Sequence, residues 1–108
     1  MRVLLVEDND DDALLIRETL SETALEIERA ATVATALERL ATGGLDAVLL
    51  DLSLPDAFGL DAIDRVRSYA SDVPIVVLTG LNDEVAAVKA VERGAQDYLI
   101  KGQVDGHL

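Results

Sequence analysis

Apolar residues in this chain follow two rhythms. At Val3 to Val6, Ala47 to Leu50, Ile75 to Leu78 and Tyr98 to Ile100 they stand side by side. An unbroken apolar run is what a strand needs when both of its faces are covered, as in a parallel sheet flanked by helices. Residues 25–30 alternate apolar and charged instead, the pattern of a strand near a sheet edge with one face exposed. Between these runs the apolar positions return at helical spacing: Ala13, Ile16 and Leu20, then Val33, Ala36, Leu37 and Leu40. Leu60, Ile63, Val66 and Ala70 repeat the pattern, and so do Val85, Val88 and Val91.

The boundaries agree with this division. Asn9 or Asp10 is placed to cap the first helix, Thr32 the second and Asn82 or Asp83 the fourth, while Asp10, Asp11 and Asp12 put negative charge where a helix dipole favours it. Gly43-Gly44 stops the second helix, Gly59 precedes the third, and Arg93-Gly94 closes the fourth. The order is β-α-β-α-β-α-β-α-β, with strand starts about 20 to 28 residues apart, room enough for a crossover helix each time. Right-handed crossovers with helices on both faces make an α/β fold, a doubly wound five-stranded parallel sheet.

Composition narrows the class. The 108 residues form one domain, 1–108, and with no cysteine there is neither a disulfide framework nor a thiolate metal site. No apolar run approaches the ~18 residues of a membrane span, and Glu7 and Asp8 interrupt the first one, so no signal peptide is read and a cytoplasmic location is expected. Twenty-one acids against nine bases give a formal net charge of -12, which argues against nucleic acid or an anionic membrane as a direct partner. Only Lys89 and Lys101 among the bases are lysines. So acidic and lysine-poor a surface fits a salt-adapted (halophile) proteome and an ordinary acidic domain about equally.

The chemistry gathers where the strands end. Ligands in open parallel sheets bind outside the carboxyl ends of the strands. There the chain places Glu7 and Asp8, Asp51, Thr79 and Lys101. If the first and third strands are neighbours, a spacing of ~4.8 Å brings Asp8 and Asp51 within reach of one ion. Carboxylates this close repel by about 4 kcal/mol per pair at ~4 Å and an effective dielectric near 20, so the cluster calls for a cation. An all-oxygen donor set suits Mg²⁺ better than zinc. Asp51 is a competent nucleophile toward phosphorus, with Lys101 as a point charge and Thr79 as a hydroxyl donor for the transferred group. Each residue alone has a plainer reading as a solvated acid, a strand-end cap or a surface lysine; their convergence favours the site.

These motifs, apolar strand-Glu7-Asp8, Asp51-xxx-Pro55-xxx-Gly59, Ile75 to Thr79 and Tyr98-xx-Lys101, resemble in order and spacing those of response-regulator receiver domains of two-component phosphorelays, chemotaxis-regulator-like, over essentially the whole chain. The resemblance implies the flavodoxin-like strand order 2-1-3-4-5. It implies that Asp51 receives a phosphoryl group from a sensor histidine kinase or phosphotransfer protein, with Mg²⁺ held by Glu7, Asp8, Asp51 and the backbone carbonyl of Ser53. It also implies that Thr79 and Tyr98 form a switch pair on the face of the fourth and fifth strands. Such a domain is a phosphoacceptor and not an enzyme in its own right, although it assists its own phosphorylation and dephosphorylation. The alternative is a receiver-like domain that serves as a constitutive protein-interaction surface.

Two features depart from that family. Gly102 follows Lys101 where proline, often in a cis peptide bond, is common, and a cis bond to a non-proline residue costs about 3 kcal/mol. Only seven residues with two glycines follow Lys101, so the final helix is expected to be missing or truncated. The chain then reads as an excerpt of a longer protein with a C-terminal output or kinase domain. An uncovered flank of the sheet would favour a homodimer. Other motifs fail on inspection. The Asp8 to Asp12 run lacks the glycine and distal glutamate of a calcium loop, Ser53 stands where a dehalogenase-type phosphatase needs a second aspartate, and no glycine-rich phosphate loop follows the first strand. His107, the only histidine, reads as a surface residue.

Overall fold

Each predicted strand forms, and all five run parallel. A computed structural model of the chain describes residues 1–57, 59–70, 72–80 and 84–101. In order the elements are β1 (Arg2–Val6), α1 (Asp10–Thr19), β2 (Glu26–Ala30), α2 (Val33–Ala41), β3 (Ala47–Asp51), α3 (Leu60–Tyr69), β4 (Ile75–Thr79), α4 (Glu84–Glu92) and β5 (Asp97–Ile100). The sheet order is β2-β1-β3-β4-β5. Because β1 and β3 pair side by side, with Val6 opposite Leu50, the residues after Val6 and the end of β3 emerge at the same edge of the sheet. Asp51 is in register with Leu78, and Thr79 with Ile100, which brings the ends of β4 and β5 to that edge as well.

Burial explains why the apolar runs are unbroken. Leu4, Leu5, Val6, Val48 and Leu50 are essentially inaccessible. One face of the sheet carries α2, α3 and α4 through Val33, Ala36, Ala62, Ile63, Val66 and Ala90, and the other packs Val3, Leu5, Leu49 and Leu78 against Ala13 and Ile16 of α1. The two strands at the sheet's margins, β2 and β5, are less buried than the three between them. Asn9 caps α1 by accepting from the Asp12 N–H, and the Thr32 hydroxyl caps α2 by accepting from Thr35.

One helix is turned the other way from the sequence pattern. Val85, Val88 and Val91 face outward on α4, the first of them 71% exposed, while Ala87 and Ala90 are buried. The spacing of the valines is helical, but the alanines share that spacing one register over. Small side chains allow α4 to lie close against β4 and β5, which a row of branched valines would hold off. At the end of α4, Gly94 has a φ of 114°, in the region glycine tolerates best, and its carbonyl accepts a 2.7 Å bond from Arg67 Nη1 of α3. A side chain there would meet the Arg67 guanidinium. Several expectations fall on residues outside those described: the Asn82 or Asp83 cap, Gly102, His107 and the presence or absence of a fifth helix.

Candidate functional site

The edge of the sheet gathers the predicted acids. Glu7 follows β1 directly and is fully buried, Asp51 ends β3 at 2% exposure, and Asp8 is exposed. One carboxylate oxygen from each lies within 4.8 Å of the others, the spacing a single cation can bridge. Two hydrogen bonds hold the cluster: the Asn9 N–H donates to Glu7 Oε2 at 3.3 Å, and the Ser53 N–H donates to Asp51 Oδ1 at 3.2 Å. Arg29 Nε donates to the Glu7 carbonyl at 3.0 Å, fixing the backbone from the β2 side.

Lys101, immediately after β5, is the cation of this cluster. Its Nζ lies 2.7 Å from Glu7 Oε1, 3.2 Å from Asp12 Oδ2 and 3.4 Å from Asp51 Oδ2. The contact with Glu7 is an ion pair off hydrogen-bond angle, which leaves the buried Oε1 without a hydrogen-bond donor. Burial alone would lower the Lys101 pKa, but contact with Glu7 and the charges of Asp51 and Glu7 raise it overall, so the ammonium stays charged. Three carboxylates, those of Glu7, Asp12 and Asp51, thus meet one ammonium, and a fourth, that of Asp8, joins Glu7 and Asp51. An all-oxygen set with surplus negative charge and a buried oxygen lacking a donor fits a hard divalent cation, and Glu7, Asp8 and Asp51 are the residues that could hold it.

Burial pushes the Glu7 carboxyl up to about 7, with the neighbouring Asp51 adding to the rise and Lys101 opposing it. A carboxyl whose pKa is raised by folding binds more protons in the native state, so stability falls as pH rises. Below the ordinary carboxyl value of 4.5 the group is protonated in both states and costs nothing; the loss develops from there to about 7 and is complete above it. The unfolding free energy of the metal-free chain should therefore fall by a few kcal/mol more across this window than that of Glu7→Gln. Parallel pH profiles from urea titrations would exclude this assignment.

The loop after Asp51 is tied down by a residue with no sequence signal for the task. Asp56 accepts from the Val33 and Ala34 N–H groups, both at 2.9 Å, and so caps α2 from 22 and 23 residues away. Although burial opposes it, those backbone bonds lower the Asp56 pKa. Arg65 Nη1 of α3 donates to the Asp56 carbonyl at 2.9 Å, so the loop bearing Ser53 is held to two helices. Asp56→Ala should cost about 1 kcal/mol, the usual loss on deleting a helix cap, measurable by chemical denaturation.

The remaining predicted residues lie further along the same edge. Thr79 is buried at the end of β4, its hydroxyl 3.4 Å from the Gly80 carbonyl. Tyr98 is half-buried, and its hydroxyl donates to Glu84 Oε1, the first residue of α4, at 3.1 Å. That bond, with the Glu84 charge behind it, raises the tyrosine pKa. Glu84 and Asp12 are site neighbours that the sequence does not reveal: Asp12 reads only as a first-turn acid of α1, and Glu84 stands out in no pattern.

Comparison with known proteins defines the class. The chain matches the family model described as response regulator receiver domain over residues 3–108. It is 39% identical over 97 residues to the regulatory protein LuxO of Vibrio cholerae, covering 90% of this chain and 21% of that protein. It is 35% identical over 101 residues to the probable transcriptional regulatory protein SilR of Salmonella typhimurium, covering 94% and 44%. Among solved structures, a putative response regulator from Chloroflexus aurantiacus superposes with a TM-score of 0.84 at 33% identity, covering 94% of this chain and 84% of that one. The receiver domain of NtrX from Brucella abortus gives 0.84 at 26%, covering 94% and 90%. This chain belongs to the response regulator receiver domain family. It spans less than half the length of these two curated relatives. Among the described residues no helix is long and apolar enough to cross a membrane.

Proposed function

We propose that the chain is a Mg²⁺-dependent phosphoacceptor in which Asp51 is the nucleophile. The observation that carries this reading is the meeting of Glu7, Asp8 and Asp51 within 4.8 Å, with Lys101 Nζ 3.4 Å from Asp51 Oδ2. A constitutive interaction surface has no use for a fully buried Glu7 beside a buried Asp51, an arrangement that costs stability without a cation.

An Asp51 carboxylate oxygen attacks phosphorus, the bond from phosphorus to the donor's imidazole nitrogen breaks, and the leaving histidine keeps the electron pair. Asp51 then carries an acyl phosphate. Bound Mg²⁺ would neutralise charge on the transferred group, with Glu7, Asp8, Asp51 and the Ser53 carbonyl as its protein ligands. Lys101 contributes a point charge to the phosphoryl oxygens and Thr79 a hydroxyl donor. Both contacts strengthen only when the group is present, so modification biases the end of β4. Tyr98 would follow by giving up its bond to Glu84, which couples the β4–β5 face to the start of α4.

The donor is a sensor histidine kinase or phosphotransfer protein, and the chain acts as the receiver part, residues 1–108, of a longer regulator. The length of its relatives supports that division. Titration with Mg²⁺ followed by beryllofluoride, read by NMR, tests the site. Mg²⁺ should perturb the amides of residues 7, 8, 51 and 53, and beryllofluoride those of 79 and 98 only when Mg²⁺ is present. Spectra that ignore both would reject the proposal.

A further inference from the structure

Lys101 meets a third carboxylate that lies outside the proposed cation-binding set. Asp12 stands in the first turn of α1, its side chain 39% exposed, with Oδ2 3.2 Å from Lys101 Nζ. Three carboxylates surround the ammonium, Glu7, Asp12 and Asp51, and of the three it is Asp12 that accepts a hydrogen bond from it.

Two of those three change character when the site is charged. Glu7 and Asp51 belong to the set that would hold a divalent cation, and the cation takes up the negative charge that now attracts Lys101. Between a dication and an ammonium the direct interaction is repulsive. Asp12 alone remains to hold the ammonium beside Asp51. Resting on the phosphoacceptor reading, we propose that Asp12 is a positioning residue that retains Lys101 at the site when Mg²⁺ is bound, and so sets the rate of phosphoryl transfer.

The placement of Asp12 fits this task. Its backbone N–H is fixed by the Asn9 cap at 2.9 Å, which sets the direction in which the side chain leaves the first turn. Asp10, in the same turn, is paired with Arg29 at 2.8 Å. Asp11 shares the turn and the helix dipole, and makes no ion pair among the described residues. It is the natural control.

The test measures Mg²⁺-saturated phosphorylation by acetyl phosphate in the unaltered chain, Asp12→Asn, Asp12→Glu and Asp11→Asn, each also in a Lys101→Ala background. Asp12→Asn should slow labelling about five- to tenfold, as expected for loss of a partly exposed charge-assisted bond. Asp12→Glu should restore at least half the rate, and Asp11→Asn should match the unaltered chain. In the Lys101→Ala background Asp12→Asn should have no further effect, since contacting residues that act through one another are non-additive. A purely structural Asp12 would slow both backgrounds alike, and that result overturns the proposal. So does an equal loss in Asp11→Asn, or unchanged or faster labelling in Asp12→Asn. If the unaltered chain takes up no phosphoryl group with Mg²⁺ present, the phosphoacceptor reading itself fails.

Discussion

Asp51→Asn should take up no phosphoryl group above background from any donor, while folding at least as stably as the unaltered chain. The amide has the same shape but lacks the anionic oxygen that attacks phosphorus. It also removes a negative charge from beside the buried Glu7. Asp51 is the largest contributor after burial to the raised Glu7 pKa, so the substitution should return Glu7 toward its ordinary value. Mg²⁺ affinity should fall with the loss of one of three clustered carboxylates. Intact mass after donor treatment, denaturation curves and Mg²⁺ titration read the three effects separately. Labelling that persists in this variant places the acceptor elsewhere.

Lys101→Ala should act in two opposite directions. Without the ammonium the phosphorylation rate should drop on the order of 100-fold, the usual loss when one preorganised donor to a developing charge is deleted. Yet Mg²⁺ should bind more tightly, because the resident cation that competes for Glu7 and Asp51 has gone. At pH 8 without Mg²⁺ the variant should lose about 2 kcal/mol of stability, less than the figure for a fully buried pair because Lys101 is partly exposed. Lowering the pH should recover part of that loss as Glu7 takes up its proton, and it should do so at a higher pH than in the unaltered chain, because Lys101 no longer opposes the rise of the Glu7 pKa. Weaker Mg²⁺ binding in this variant would contradict the competition described.

Much of this was legible in the chain because parallel sheets write their strands as unbroken apolar runs. Val3 to Val6 and Ala47 to Leu50 could be read as strands at once, and the acids that follow them marked the edge on which a site would form. Thr32 was legible as a cap, and Asn9 as one of two candidates beside Asp10, because capping is local chemistry. What depended on distant packing was not legible. Nothing in the order of residues around Asp56 indicates that its carboxylate caps α2, since the partners at 33 and 34 come close only once the sheet is assembled. On α4 the valines and alanines share one helical period, and the fit of small side chains against the sheet decided which turned inward. Asp12 was visible as a helix-start acid and Glu84 stood out in no pattern, because their partners Lys101 and Tyr98 lie on or just after a strand that reaches them only through the fold.

The phosphoacceptor reading stands or falls on one determination: peptide-resolved mass spectrometry of the unaltered chain after exposure to acetyl phosphate, with Mg²⁺ and with Mg²⁺ removed by chelation. The account predicts one phosphoryl group, on the peptide containing Asp51, and only in the Mg²⁺ sample. A phosphoryl group on another residue, equal labelling after chelation, or no labelling in either sample would contradict it.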